Sequence, residues 1–95
     1  MRISVELSLY PLNEDYVPEI RDFILRIKKY ENLEIITNAI STQIVGEHAH
    51  VFEMLSKETA ITFESGQSVF IMKVLGFERD IKGYKIRAGA PIPPI

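Results

Sequence analysis

The sequence predicts an α+β sandwich: one four-stranded antiparallel sheet with two helices packed on one of its faces. Three observations predict it. The first twelve residues alternate apolar and polar, the next segment switches to a helical period, and two β-branched segments then precede a further helix and a further strand.

Residues 1–12 carry Ile3, Val5, Leu7 and Leu9 in alternation with Ser4, Glu6, Ser8 and Tyr10. That is the period of two of a half-buried strand, which Pro11 and Asn13 end. From 15 to 31 the apolar residues Tyr16, Ile20, Phe23, Ile24, Ile27 and Tyr30 fall at steps of three and four, one face of an amphipathic helix. Pro18 and Glu19 suit its first turn, and Lys28 and Lys29 its last. Residues 33–38, with Ile35, Ile36 and Thr37, and residues 41–46, with Ile44 and Val45, read as a hairpin turning at Asn38 and Ala39. A second, weaker helix is expected over 47–63, with Val51, Phe52, Leu55, Thr59 and Phe63 on one face. Residues 67–75 then form a strand that is apolar on both faces except at Lys73, as a central strand would be.

The order β-α-β-β-α-β is the ferredoxin-like plan, with strand order 4-1-3-2 and both helices on one side. At 95 residues the chain makes one domain, expected over 1–87, with a possible short strand near Tyr84 and Ile86. Residues 88–95 carry Pro91, Pro93 and Pro94, which exclude a regular helix or interior strand and leave an extended arm.

Composition narrows the function. Apolar residues make up 46% and charged residues 25%, with a net charge of −2 and the two signs intermixed. No basic stripe is available for nucleic acid. The absence of cysteine removes disulfides, thiolate metal sites and thiol catalysis. No signal-like start and no membrane-length apolar run are seen, so a cytoplasmic location without membrane insertion is expected. His48 and His50 stand two apart on a helix and diverge, so they are not a metal pair. No metal or cofactor is expected.

The helices should cover Ile3, Val5, Leu7 and Leu9, leaving Ser4, Glu6, Ser8 and Tyr10 on the open face. A lysine beneath helices is costly, so Lys73 is expected on the open side with Val69, Ile71 and Leu75, and Phe70, Met72 and Val74 in the core. The open face is then partly apolar and calls for a second subunit, a ligand, or both.

Three segments together resemble the YkoF-type thiamin/hydroxymethylpyrimidine-binding family: Val5-Glu6-Leu7-Ser8-Leu9-Tyr10-Pro11-Leu12, Thr37-Asn38-Ala39-Ile40-Ser41-Thr42-Gln43-Ile44-Val45-Gly46-Glu47, and Val69-Phe70-Ile71-Met72-Lys73. The Ser-Thr-Gln-x-x-Gly-Glu stretch is the most specific of them. The resemblance spans roughly residues 1–75. It implies a ferredoxin-like domain that binds thiamin or its hydroxymethylpyrimidine portion and serves uptake of that vitamin, with a vitamin transporter as a possible partner. Two-repeat members carry two such domains, so a single copy implies a homodimer or a dimer of dimers through the sheet.

The residue types suit that ligand. An aminopyrimidine sets a ring nitrogen beside an amino group, an edge that a carboxylate or primary amide meets with two hydrogen bonds; Glu6, Asn38, Gln43 and Glu47 offer such groups. Tyr10 with Glu6 could face a thiazolium cation. Ser8, Ser41 and Thr42 could hold a hydroxyl or a bridging water. No Gly-rich loop or arginine pair is present to cradle a diphosphate. Each residue also has a structural reading. Glu6 can pair with Lys73, Asn38 can close the turn, and Ser41, Thr42 and Gln43 can serve the hairpin. Glu47 can favour a helix start, and Tyr10 can cap a strand edge. No phosphate loop or nucleophile–base pair points to catalysis, so the chain is expected not to be an enzyme. The alternative function is an ACT-like oligomeric regulatory or interaction module with a different ligand or none.

Overall fold

The computed structural model describes residues 1–82. The expected strand near Tyr84 and Ile86, the arm 88–95 and the domain limit at 87 lie outside the described residues.

The elements are β1 (Arg2–Pro11), α1 (Val17–Ile27), β2 (Glu34–Thr37), β3 (Thr42–Glu47), α2 (His48–Glu64) and β4 (Ser68–Leu75). They form one antiparallel sheet in the order β2-β3-β1-β4, the ferredoxin-like arrangement that the alternating periods predict. Ile3, Val5, Leu7 and Leu9 pack with Phe23 and Ile27 of α1, Ile44 of β3, and Val51, Met54 and Leu55 of α2. Burial of these side chains, each contributing about 1.5–3 kcal/mol, is the main force holding helices to sheet.

Helix α1 buries the expected stripe, with Phe23 and Ile27 at its centre, whereas α2 buries a face that differs from the one expected. In α1 the last i→i−4 bond is from Lys28 N–H to the Ile24 carbonyl at 3.1 Å. Lys29 N–H then reaches the carbonyl of Arg26 and Tyr30 N–H that of Ile27, tightening the last turn, and Asn32 takes a left-handed φ of 66° to enter β2. In α2 the buried residues are Val51, Met54, Leu55, Glu58 and Thr62, while Phe52 and Phe63 are exposed. The stripe has helical spacing but includes a carboxylate and a hydroxyl, so apolar periodicity points to the wrong face.

Those polar groups are satisfied by α1. Glu58 accepts hydrogen bonds from Arg26 Nε at 2.7 Å and Tyr30 Oη at 2.7 Å, and Arg26 Nη2 also reaches Thr62 Oγ1 at 2.8 Å. Burial alone would raise the Glu58 pKa, but the Tyr30 and Arg26 hydrogen bonds and the Arg26 charge hold it below the ordinary carboxylate value. Burial first, then the bond to Glu58, pushes the Tyr30 phenol up to about 12.

The register confirms that Lys73, opposite Glu6, shares the open face with Val69, Ile71 and Leu75. The expected burial of Met72 and Val74 is not found: both lie on the helix side yet are exposed, and only Phe70 packs against the core. The helices lie over β1 and β3 and do not extend across β4. That strand is an edge, not a centre.

Candidate functional site

The open face divides into a covered end and an uncovered end. Residues 76–82 turn back over the N-terminal end of β1. There Ser4 Oγ donates to the Phe77 carbonyl at 2.9 Å and accepts from Arg79 N–H at 2.8 Å, and Arg2 pairs with Glu78 at 2.8 Å. Ser4 and its cross-strand neighbour Val45 are consequently 3% and 0% exposed, although they lie on the face away from the helices.

Farther along β1 a polar row crosses three strands, set by the register Gln43↔Glu6↔Lys73. Ser41 Oγ donates to Glu6 Oε2 at 3.0 Å, Gln43 Nε2 donates to Ser41 Oγ at 3.0 Å, and Lys73 Nζ stands 3.6 Å from Glu6 Oε1. Both carboxylate oxygens of Glu6 are thus engaged within the protein.

Beyond this row the sheet has a gap. β1 pairs with β3 only as far as Leu7↔Thr42, whereas it continues against β4 to Pro11↔Ser68. The β2–β3 hairpin has already turned at residues 38–41. Asn38 N–H bonds to the Ser41 carbonyl at 3.1 Å, and Asn38 Oδ1 accepts from the N–H groups of Ile40 at 2.9 Å and Ser41 at 3.2 Å. This is an Asx turn, in which a short amide side chain satisfies the bend.

The missing strand leaves a cavity of about 490 Å³ between Ser8–Pro11, the hairpin turn, Tyr16 and the face of α1 that carries Ile20, Phe23 and Ile24. That volume is within the range of about 300–1,000 Å³ usual for small-molecule sites. The lining is apolar with hydroxyl and amide groups, and it carries no carboxylate, lysine, arginine or histidine.

Of the residues singled out from the sequence, Ser8, Tyr10, Asn38, Ser41 and Thr42 line this cavity. Thr42 is on the helix side, buried, with its hydroxyl 2.9 Å from that of Thr37. Glu6 and Gln43 stand behind Ser41 in the polar row, outside the lining. Glu47 is at the other end of the sheet as the residue preceding α2, and its carboxylate pairs with the N-terminal amine at 3.0 Å.

Sequence reasoning missed Tyr16 as a lining residue. Its place in the helical stripe suggested core, but α1 starts at Val17, and Tyr16 precedes the helix, 51% exposed. Ile40, also exposed at the rim, looked like part of a turn. Among the described residues no cluster of acids, histidines or cysteines could hold a metal, and no helix is long and apolar enough to cross a membrane.

Comparison with known proteins adds a family and a fold. A family model described as the YKOF-related family matches residues 2–75. No curated protein matches. Among solved structures, a Streptococcus pneumoniae protein is similar at a TM-score of 0.75 and 17% identity, over 82% of this chain and 89% of that one. A Thermotoga maritima protein, named for a proposed role in thiamine biosynthesis or salvage, is similar at a TM-score of 0.71 and 15% identity, over 90% and 91%. A hypothetical protein of Methanocaldococcus jannaschii reaches 0.69 at 23% identity, over 90% and 88%. At these identities the likeness is one of fold.

Proposed function

The chain belongs to the YKOF-related family, and from that premise we propose that it is a binding protein, without catalysis, for thiamin or its hydroxymethylpyrimidine portion. The name of the Thermotoga maritima relative supports the vitamin class. The observation that carries the reading is the gap beside β1. It is a cavity of about 490 Å³ with an apolar floor and a few convergent hydroxyl and amide groups, in the proportions of a small-ligand site.

Tyr10, 51% exposed at the rim, offers an aromatic face to a heterocycle. Ser8, Ser41 and Asn38 supply hydrogen bonds to its substituents. Phosphorylated forms fit poorly, because the lining has no cation to meet them.

Titration calorimetry with thiamin and with hydroxymethylpyrimidine tests this. Saturable binding with a Kd on the order of micromolar is expected, weakened at least about tenfold in Tyr10→Ala, with the ligand recovered unchanged. No heat from either compound at about 0.1 mM protein would contradict it.

The same reading includes a second copy of the chain. β4 leaves Val69 and Ile71 exposed on the open face, Met72 and Val74 exposed on the other, and its outer edge without a strand partner among the described residues. An eight-residue edge with one charge and no proline lacks the usual protections against pairing. Light scattering should give a dimer or a dimer of dimers, dissociated by Ile71→Glu; a monomer at about 0.1 mM would remove this part of the proposal.

A further inference from the structure

We infer that the ligand edge is read by the main chain of Leu9 and not by a carboxylate, so that the occupant of the gap is a neutral planar heterocycle carrying a hydrogen-bond donor beside an acceptor. This rests on the binding function proposed above and specifies its chemistry.

The hydrogen-bond phase of β1 identifies the residue. Leu12 N–H bonds to the Gln67 carbonyl on the β4 side, and His48 N–H bonds to the Met1 carbonyl on the β3 side. The pairing of β1 with β4 runs without a bulge from Ser4 to Pro11, so even-numbered residues of β1 address β4 and odd-numbered residues address β3. Leu7 meets Thr42 in this way.

The next odd residue is Leu9, and the hairpin has already turned. The residue that would continue the ladder, Ile40, gives its N–H to Asn38 Oδ1 instead. No partner for Leu9 N–H or C=O is found among the described residues, although Leu9 lines the cavity and is only 9% exposed. A backbone donor and acceptor that face a cavity without a protein partner are rarely left unpaired, and water or a ligand meets them there.

Pro11, the odd residue after it, has no N–H, so the edge cannot support a continuing strand. What remains is a single donor–acceptor pair at the wall of a cavity lined by no carboxylate and no cation. An amidine-type edge matches it. The ring nitrogen accepts from Leu9 N–H, and the amino group beside it donates to Leu9 C=O. Glu6 is the competing reader, but it stands outside the cavity lining, behind Ser41, whose hydroxyl donates to it at 3.0 Å.

Nitrogen-15 NMR of the full chain tests the assignment in two steps. In the free protein the Leu9 amide should exchange with solvent at least about tenfold faster than that of Leu7, whose N–H is in the ladder. Titration with 4-amino-5-hydroxymethyl-2-methylpyrimidine should then move the Leu9 amide proton downfield and slow its exchange. An analogue with hydrogen in place of the amino group should bind about tenfold more weakly, the usual scale for one unmade hydrogen bond. Leu9 exchanging as slowly as Leu7 in the free protein would overturn the inference. So would saturable binding with the Leu9 amide unmoved, or binding abolished by Glu6→Gln while that amide stays still; either leaves the binding function standing. No binding of the pyrimidine despite a fast Leu9 amide would overturn both the function and the inference.

Discussion

The two ends of β1 share one strand, one alternation and one pair of faces, yet they are built for different ends. At Ile3–Val5 the strand has neighbours on both edges, helices over one face and residues 76–82 over the other. At Ser8–Pro11 it keeps one neighbour, because the hairpin turns early, and the space left is a cavity. The difference teaches that a binding site need not be added to this fold. Ending one strand pairing four residues short of the other produces it. The covered end supplies rigidity, and the short end supplies unsatisfied groups on a rigid frame, a division common in proteins that hold ligands.

If that division is right, substitutions at the covered end change stability and those at the short end change binding. The largest effect is expected for Ile44→Ala. Ile44 is fully buried opposite Val5, and its truncation should cost about 2–5 kcal/mol in urea unfolding. Next is Glu58→Ala, which removes the carboxylate shared by Arg26 and Tyr30 and leaves Arg26 only its contacts to Thr62 Oγ1 and to the backbone carbonyl of residue 58. About 2–3 kcal/mol is expected, under the 3–5 kcal/mol typical of breaking a buried pair, because the Arg26 side chain is 26% exposed.

The same network gives a pH signature. Glu58 has a lowered native pKa, so its contribution is whole above the ordinary carboxylate pKa and is lost as pH falls through the native value. Tyr30 has a raised native pKa, so its contribution is whole below pH 10 and is lost as pH rises towards 12. Denaturation followed from pH 9 to 12 should therefore show an alkaline fall that Tyr30→Phe removes. An unchanged fall in the variant would assign it to other groups.

Ser4→Ala is a smaller test, expected to cost about 1–2 kcal/mol through two lost hydrogen bonds. Hydrogen exchange in residues 77–80 should accelerate while that of the hairpin turn stays as it was. The smallest effect on stability is expected for Tyr10→Ala, within about 0.5 kcal/mol because its side chain is largely in water, while ligand affinity falls. A Tyr10→Ala variant as unstable as Ile44→Ala would erase the distinction between the ends.

Most of the frame was legible because periods of 2 and 3.6 are written directly into side-chain polarity. The alternation of Ile3–Leu9, the Phe23–Ile27 stripe and the Thr37–Thr42 hairpin all fold as read. What escaped reading depends on partners distant in sequence. Glu58 looks like a surface residue until Arg26 and Tyr30 meet it, so the buried face of α2 was displaced towards Phe52 and Phe63. Met72 and Val74 look like core because no sequence feature tells how far the helix layer extends. At the candidate site, Ser8, Tyr10, Asn38, Ser41 and Thr42 could be picked out by polarity and by the family resemblance. The Leu9 backbone could not: every residue carries the same amide, and only the point where a strand pairing stops makes one of them available.

The most direct test of the central claim is a crystal structure of the protein grown with hydroxymethylpyrimidine. Density for the ring in the gap between Leu9 and the 38–41 turn, in plane with the sheet, is the expected result. Ordered ligand on the open face over Glu6 and Lys73, or against the helices with the gap empty, would contradict it.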